Sequence, residues 1–225
     1  MKFSNKKVII FDLDGTLIDS SPDLALAINY MLKSINKKAF SLDEIHHWVG
    51  NGAEILVKRA LSGSSEISAN INENAFKEAL DIFLEFYAKN LAVATVTYPH
   101  VLSTLSKLKE HGYKLVIVTN KPFNFVEPIL EELQLKEYFE FYLGGDSLKE
   151  KKPHPAPLLY VCDKLNVSVD ECVMIGDSKN DILASKACGM QSIGVTYGYN
   201  YGEHIKSYEP DVYFSDFSKI GEVLC

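Results

Sequence analysis

Short apolar runs alternate with longer stretches of helical periodicity over most of the chain. Four runs are apolar at nearly every position and rich in β-branched residues, a pattern typical of strands buried on both faces. They are residues 8–11, 115–118, 172–175 and 192–195. Residues 139–143 and 212–214 are weaker strand candidates. Helical patterns cover residues 101–110, 157–165 and 180–188. The alternation predicts an α/β fold, with a Rossmann-like parallel sheet core and helices on both faces.

One interval after the first strand breaks this alternation. It shows helical periodicity without a strand pattern, beginning with Pro22 at a helix start and continuing over 53–61 and 74–91. Its first apolar stripe has helical spacing and consists of Leu24, Ala27, Ile28, Met31 and Leu32. We therefore expect residues 22–96 to form an inserted all-helical cap. Residues 1–21 and 97–225 would form the α/β core.

The charge of the chain restricts its partners. Its 30 acidic and 23 basic residues give a net charge of −7, and 47% of the residues are apolar. An acidic surface lacks the electrostatic footprint of a protein that binds nucleic acid or anionic membranes. We expect a small-molecule substrate, no nucleic acid and no membrane, in a monomer or homodimer.

The cysteines and the N-terminus bear on the cellular compartment. Cys162, Cys172, Cys188 and Cys225 have no CxxC spacing, which favours reduced thiols over a disulfide framework or a zinc site. The short polar start of the chain runs directly into an apolar strand pattern, and it is too short for a signal peptide. We expect a cytoplasmic protein.

The strongest chemical signal follows the first predicted strand. Asp12 and Asp14 flank Leu13, and Gly15 comes next. Two carboxylates at the carboxyl end of a buried strand lie where open α/β sheets bind ligands. Their repulsion and desolvation favour a hard divalent cation such as Mg²⁺ nearby. Taken alone, the motif also fits a simple polar turn.

Polar groups also follow the later strands. Thr119 and Asn120 come after the second strand, and a hydroxyl with backbone amides can hold phosphate oxygens. Lys152 precedes a proline, which fixes the backbone and presents the positive charge at one place. Asp177 and Asp181 follow the third strand. Since parallel strands end at one edge of the sheet, we expect these groups to form a single site.

These four clusters, in this order, resemble the motifs of the haloacid dehalogenase superfamily. A closer resemblance is to the bacterial phosphoglycolate phosphatase family. It rests on VTNKP at 118–122, GGD at 144–146, KKPHPAPLL at 151–159, GDSKND at 176–181, GVTYGYNYGE at 194–203 and WVGNGA at 48–53. His100 departs from the family, whose members often have glycine there, and this bears on the hinge into the core more than on the chemistry.

The resemblance implies hydrolysis of a small phosphate monoester, most simply 2-phosphoglycolate to glycolate and phosphate, with Mg²⁺. Asp12 would attack phosphorus and become an aspartyl phosphate, and Asp14 would act as general acid and base. Mg²⁺ would be bound by the Asp12 side chain, the Asp14 carbonyl and Asp177.

The remaining motif residues would support this reaction. Thr119, the Asn120 backbone and Lys152 would hold the transferring phosphoryl oxygens. Asp181 would hydrogen-bond Lys152 or the water shell of the metal.

Several other activities share these motifs. Asp14 argues against dehalogenation, because dehalogenases lack the second aspartate. A phosphonatase would need a Schiff-base lysine in the cap, where Lys58 is the candidate, although its neighbours resemble phosphoglycolate phosphatases. Phosphomutases acting on sugar phosphates and pyrophosphatases stay open, as does a non-enzymatic phospho-acceptor.

The cap offers two candidates for binding a substrate carboxylate. The glycine-rich loop at 50–52 either contacts the substrate or forms only a tight turn. Arg59 either binds the carboxylate or is a solvated helix residue.

Overall fold

A six-stranded parallel sheet lies at the centre of the fold in the computed structural model, which describes residues 3–225. Its strand order is β5-β4-β1-β6-β7-β8. The strands are β1 (Val8–Phe11), β4 (Lys114–Val118), β5 (Phe141–Leu143), β6 (Cys172–Gly176), β7 (Gln191–Val195) and β8 (Val212–Phe214). The predicted α/β fold with a parallel sheet is confirmed.

Helices cover both faces of this sheet. In β1, Ile9 and Phe11 belong to one apolar cluster and Val8 and Ile10 to another, since alternate side chains point to opposite faces. The first cluster includes side chains of α5 (Val101–Glu110), α6 (Phe123–Glu132) and α9 (Ser218–Leu224). The second includes side chains of α7 (Ala156–Leu165) and α8 (Lys179–Cys188).

Four further helices, here called the insertion helices, follow the first strand. They are α1 (Ser21–Ser34), α2 (Leu42–His46), α3 (Ala53–Ser62) and α4 (Glu73–Lys89). Helix α4 packs against α1 and α3, and the apolar stripe of α1 is buried against these neighbours. At the two ends of this segment, β2 (Ile18–Asp19) pairs antiparallel with β3 (Val96–Thr97). The boundary at 22–96 between cap and core stays a prediction.

The sequence patterns missed several short elements and misplaced one. β2 and β3 have two residues each, too few for a periodic pattern. Helix α6 contains Pro128, a residue that normally argues against a helix interior. The strand expected over 139–143 begins only at Phe141, because a 3₁₀ turn occupies Lys136–Tyr138. Helices α2 and α9 were also not predicted.

His100 has a backbone conformation that explains the glycine expected at its position. Its φ of 67° lies in the left-handed region, where a glycine is not strained. His100 precedes the first turn of α5, directly after the return from the insertion helices. The departure therefore lies at the entry into the core, where α5 begins.

The helices and the cysteines can each be described directly. No helix within residues 3–225 is long and apolar enough to span a bilayer. All four cysteines are free thiols, and the sulfurs of Cys162 and Cys172 lie 3.6 Å apart inside the protein.

A buried carboxylate joins the start of the insertion helices to their end. Asp23 in α1 is 1% exposed and accepts hydrogen bonds from the backbone amides of Ala94 and Thr95 and from the Thr95 hydroxyl. We predict that Asp23→Ala lowers the free energy of unfolding by about 3 kcal/mol, because it leaves these donors without a charged acceptor. Thr95→Val, which removes one of these bonds, should cost about 1 kcal/mol. Urea denaturation of both variants tests this, and equal effects would contradict it.

Candidate active site

The carboxyl ends of three adjacent strands bring the predicted site residues together. In the sheet β1 lies between β4 and β6, and the register pairs Phe11 with Ile117 on one side and with Ile175 on the other. Asp12 follows β1 directly, and its amide donates to the Ile175 carbonyl. The loops after all three strands therefore begin at the same edge of the sheet.

Lys152 is buried between two of the predicted aspartates. Its ammonium nitrogen lies 2.6 Å from Asp181 Oδ1 and 3.0 Å from Asp12 Oδ1, and only 1% of its side chain is exposed. Burial alone would lower the pKa of Lys152, but the two carboxylates outweigh this effect and raise it. Lys152 is therefore held as a cation next to Asp12.

Asp181 is held in place by the start of helix α8. Its Oδ2 accepts hydrogen bonds from the backbone amide and hydroxyl of Ser178, which forms a capping box. Since its Oδ1 is bonded to Lys152, both oxygens already have partners. A Cβ on Gly176 would lie 2.2 Å from Asp181 Cγ, so this close packing requires glycine.

Asp177 is enclosed just as tightly. Its Oδ1 accepts from the Thr16 hydroxyl, and its Oδ2 accepts from the Tyr199 amide, each at 2.8 Å. Gly15 has a φ of 85°, and a Cβ there would lie 2.4 Å from Asp177 Oδ2. The glycine of the DxDG motif therefore allows the β1 loop to approach this carboxylate.

Three buried carboxylates form a group that fits a divalent cation. Oxygen atoms of Asp12, Asp177 and Asp181 lie within 4.8 Å of one another. Burial raises the pKa of Asp12 to about 8, although Lys152 opposes the shift. Burial, with the nearby charge of Asp181, raises the pKa of Asp177 to about 7.

The charges at this group can be counted directly. When all three carboxylates are ionised, they and the one ammonium leave an excess of two negative charges, which a divalent cation would balance. Oxygen ligands of this kind suit Mg²⁺. Asp181 accepts three hydrogen bonds, whereas each Asp177 oxygen accepts only one. Asp12 and Asp177 are therefore the better side-chain ligands, and the chemistry of the donor set fits the metal.

Asp14 has different partners from Asp12. Its Oδ1 accepts from the Ser20 hydroxyl at 2.5 Å and from the Lys121 ammonium at 3.0 Å. Lys121 also donates to the Tyr87 hydroxyl of α4 at 2.7 Å. The two aspartates of the motif therefore face two different lysines.

Thr119 and Asn120 lie where the sequence expected them, at the end of β4. The Thr119 hydroxyl oxygen accepts from the Lys121 amide, and the residue is 4% exposed. The Asn120 side-chain nitrogen donates to the carbonyls of Gly50 and Lys152, while its Oδ1 is buried without a partner among the described residues.

A small cavity of about 40 Å³ adjoins Asp12 and Asp14. Core residues Thr119, Asn120 and Lys121 line it on one side. The insertion helices and their loops contribute mainly apolar side chains, which are Leu24, Val49, Leu56 and Phe83, together with Tyr87. Four of the predicted site residues therefore border a space that the insertion helices help to enclose, whereas Lys152, Asp177 and Asp181 are not among its lining residues.

The α2–α3 loop contacts the core at several points. The Gly50 carbonyl accepts from the side chains of Asn120 at 3.3 Å and Asn180 at 3.1 Å. Lys151 donates to the Asn51 carbonyl. Gly50 and Gly52 line the cavity, so this loop is more than a surface turn.

The two cap cations considered from the sequence lie outside this cavity. Arg59 is half-buried and donates to the carbonyls of Trp48 and Ser65 within the insertion. It is therefore neither a solvated helix residue nor a lining residue. The Lys58 ammonium lies 4.4 Å from the centroid of the Phe76 ring, which does not favour a Schiff base at the site.

Sequence reasoning missed several residues that complete this arrangement. Lys121 follows the Thr119-Asn120 pair, but nothing local shows that its side chain turns toward Asp14. Ser20 and Thr16 were also missed, although both follow the DxDG motif closely. Tyr87 could not have been found, since it lies in a separate helix 34 positions away from Lys121.

Comparison with known proteins places this geometry in a family. Residues 9–195 match the haloacid dehalogenase-like hydrolase family. The chain is 54% identical to a phosphoglycolate phosphatase of Colwellia psychrerythraea over 98% of its own length and 97% of that protein. It is 48% identical to a phosphoglycolate phosphatase of Psychrobacter arcticus, covering 98% of this chain and 96% of the relative.

A solved structure agrees with these sequence relatives. The crystal structure of a predicted phosphoglycolate phosphatase from Haemophilus somnus 129PT superposes with a TM-score of 0.92. The two proteins are 42% identical, and the match covers 98% of each chain. The resemblance seen in the motifs is thus confirmed along nearly the whole sequence, and the chain belongs to the haloacid dehalogenase-like hydrolase family.

Proposed function

We propose that this chain is a magnesium-dependent phosphatase that hydrolyses 2-phosphoglycolate to glycolate and phosphate through an aspartyl phosphate at Asp12. The observation that carries the proposal is the placement of Asp12 and Asp14 beside one cavity with separate lysine partners. The relatives named phosphoglycolate phosphatase support the choice of substrate. Four free cysteines support a location in the reducing cytoplasm.

Asp12 is the nucleophile in this mechanism. Its carboxylate oxygen forms a bond to phosphorus while the bond from phosphorus to the glycolate oxygen breaks. Asp14 donates a proton to that departing oxygen and later takes a proton from the water that attacks the aspartyl phosphate. The second step releases phosphate and restores the Asp12 carboxylate.

The surrounding residues position the phosphoryl group. Lys152, the Thr119 hydroxyl and the Asn120 backbone amide hold its oxygens, which matters because phosphoryl transfer depends on alignment and charge stabilisation. Asp12, Asp177 and the Asp14 carbonyl would hold Mg²⁺, which would supply positive charge to offset the negative charge of the phosphoryl oxygens. Asp181 keeps Lys152 in place.

The size of the cavity favours a short substrate. The cavity beside Asp12 and Asp14 is small, and Leu24, Val49, Leu56 and Phe83 of the insertion line it together with core residues. A two-carbon acid extends little beyond its phosphoryl group, whereas a sugar phosphate needs more room. We further propose that residues 22–96 act as a cap over a core of residues 1–21 and 97–225, since side chains of the insertion helices line this cavity.

Removal of the nucleophile should abolish turnover. Asp12→Asn keeps the shape of the side chain but not its nucleophilicity, so we predict a loss of at least about 10⁴-fold in kcat. Phosphate release from 2-phosphoglycolate, compared with a panel of sugar phosphates, pyrophosphate and phosphonoacetaldehyde, measures both mechanism and substrate. A conserved melting temperature is the control for folding. Retained turnover in Asp12→Asn would exclude Asp12 as nucleophile. Faster hydrolysis of another ester in the panel would overturn 2-phosphoglycolate as the proposed substrate.

The acid and base role of Asp14 predicts a dependence on the leaving group. With Asp14→Asn we expect about 10²- to 10⁴-fold slower turnover of 2-phosphoglycolate, because glycolate needs a proton to depart. The leaving group of p-nitrophenyl phosphate departs without receiving a proton. This substrate should therefore still phosphorylate Asp12. The phosphorylated protein should then accumulate, which mass spectrometry of the intact chain detects. Equal slowing of both substrates without accumulation would refute this role.

Activity should require a metal ion bound at the group of buried carboxylates. EDTA should abolish activity, and Mg²⁺ should restore it. Asp177→Asn removes one proposed ligand, and we predict that half-maximal activation then needs about 10- to 100-fold more Mg²⁺. Calorimetric titration with Mg²⁺ compares the metal affinity of the variant and the wild type without measuring turnover. Asp43→Asn, at an exposed position of α2, is the charge-matched control, and an equal shift in both variants would contradict the assignment.

A further inference from the structure

Lys121 is a buried cation that the phosphoryl-transfer steps do not use. Only 3% of its side chain is exposed, and it lines the cavity beside Asp14. Burying an ammonium group is costly unless charged and polar partners compensate for the lost water. The position of Lys121 therefore calls for a functional explanation.

The hydrogen bonds of Lys121 leave one donor available. An ammonium group has three N–H donors. In Lys121, one faces Asp14 Oδ1 at 3.0 Å and another faces the Tyr87 hydroxyl at 2.7 Å. The charge of Lys152, by contrast, is already compensated by two carboxylates.

No other basic residue of the described chain, residues 3–225, lines this cavity. Arg59 is engaged by carbonyls of the insertion, and Lys151 reaches the Asn51 carbonyl from an exposed position. A second negative charge on a bound phosphate ester would therefore meet Lys121.

The cavity wall around Lys121 favours a charged group over hydroxyls. Leu24, Leu56, Phe83 and Phe125 contribute apolar surface and no hydrogen-bonding side-chain atom. Such surroundings strengthen an ion pair, because they keep the local dielectric low. A sugar hydroxyl in contact with these four side chains would have no hydrogen-bond partner among them, which penalises its burial there.

We propose that Lys121 binds the carboxylate of the substrate, with the Tyr87 hydroxyl as a second donor. The inference rests on the proposed phosphatase function and identifies the residue that selects a two-carbon ester with a carboxylate over one without it. Because Tyr87 belongs to α4, carboxylate binding would involve an insertion helix and the core together.

Two substrates of the same carbon length test this assignment. Values of kcat/KM are measured for 2-phosphoglycolate and for ethyl phosphate, which lacks the carboxylate. The wild-type enzyme should prefer 2-phosphoglycolate. Lys121→Met should reduce this preference by about 10- to 150-fold, the range for losing a hydrogen bond between charged groups, mainly through a higher KM. Lys121→Arg, which keeps the charge, should retain part of the preference.

The controls separate this role from others. Lys179→Met removes a lysine outside the cavity lining and should leave the preference unchanged. Equal losses for both substrates in Lys121→Met would overturn the inference, since they would mean that Lys121 only positions Asp14. A wild-type enzyme without the preference would overturn the proposed substrate and the inference with it. If Lys121→Met does not fold, Lys121→Gln is judged by the same ratio.

Discussion

The buried ammonium of Lys152 lies between the carboxylates of Asp12 and Asp181, and the geometry of the site depends on this pairing. Each of the three charges would be unfavourable at its position without the others. The pairing joins β1, the loop before α7 and the first turn of α8. The Lys152 carbonyl also accepts from Asn120, which adds the end of β4 to the same network. Charge compensation thus fixes loops that no regular backbone pairing connects.

The same constraint separates the roles of the two aspartates in the first motif. Asp12 and Asp14 are two positions apart, but Asp12 faces Lys152 and Asp14 faces Lys121. These separate partners hold the two carboxylates at different places, which is compatible with the proposed roles of Asp12 as nucleophile and Asp14 as acid and base. A third carboxylate, Asp177, supplies the negative charge that makes a divalent cation favourable. The division of labour therefore follows from the partners of each residue and not from the motif alone.

Much of this arrangement could be predicted from local patterns. Buried strands are short, apolar and β-branched, so β1, β4, β6 and β7 were found, and parallel strands end at one edge. That rule was sufficient to predict that Asp12, Thr119 and Asp177 lie together. Elements without a periodic signal were missed, as with the two-residue strands and with α6, whose Pro128 argues against a helix. Contacts between distant side chains, such as Lys121 with Tyr87, leave no local pattern at all.

Several of the unpredicted contacts are those in which the insertion helices meet the core. The Gly50 carbonyl is held by Asn120 and Asn180, and Tyr87 reaches Lys121. Asp12, the proposed nucleophile, follows a strand end, so the sheet would fix the position of the chemistry. The walls that meet the rest of the substrate come from helices that can vary without disturbing the sheet. Substrate choice should therefore reside in contacts across this junction, which explains why the motifs indicate the reaction better than they indicate the ester.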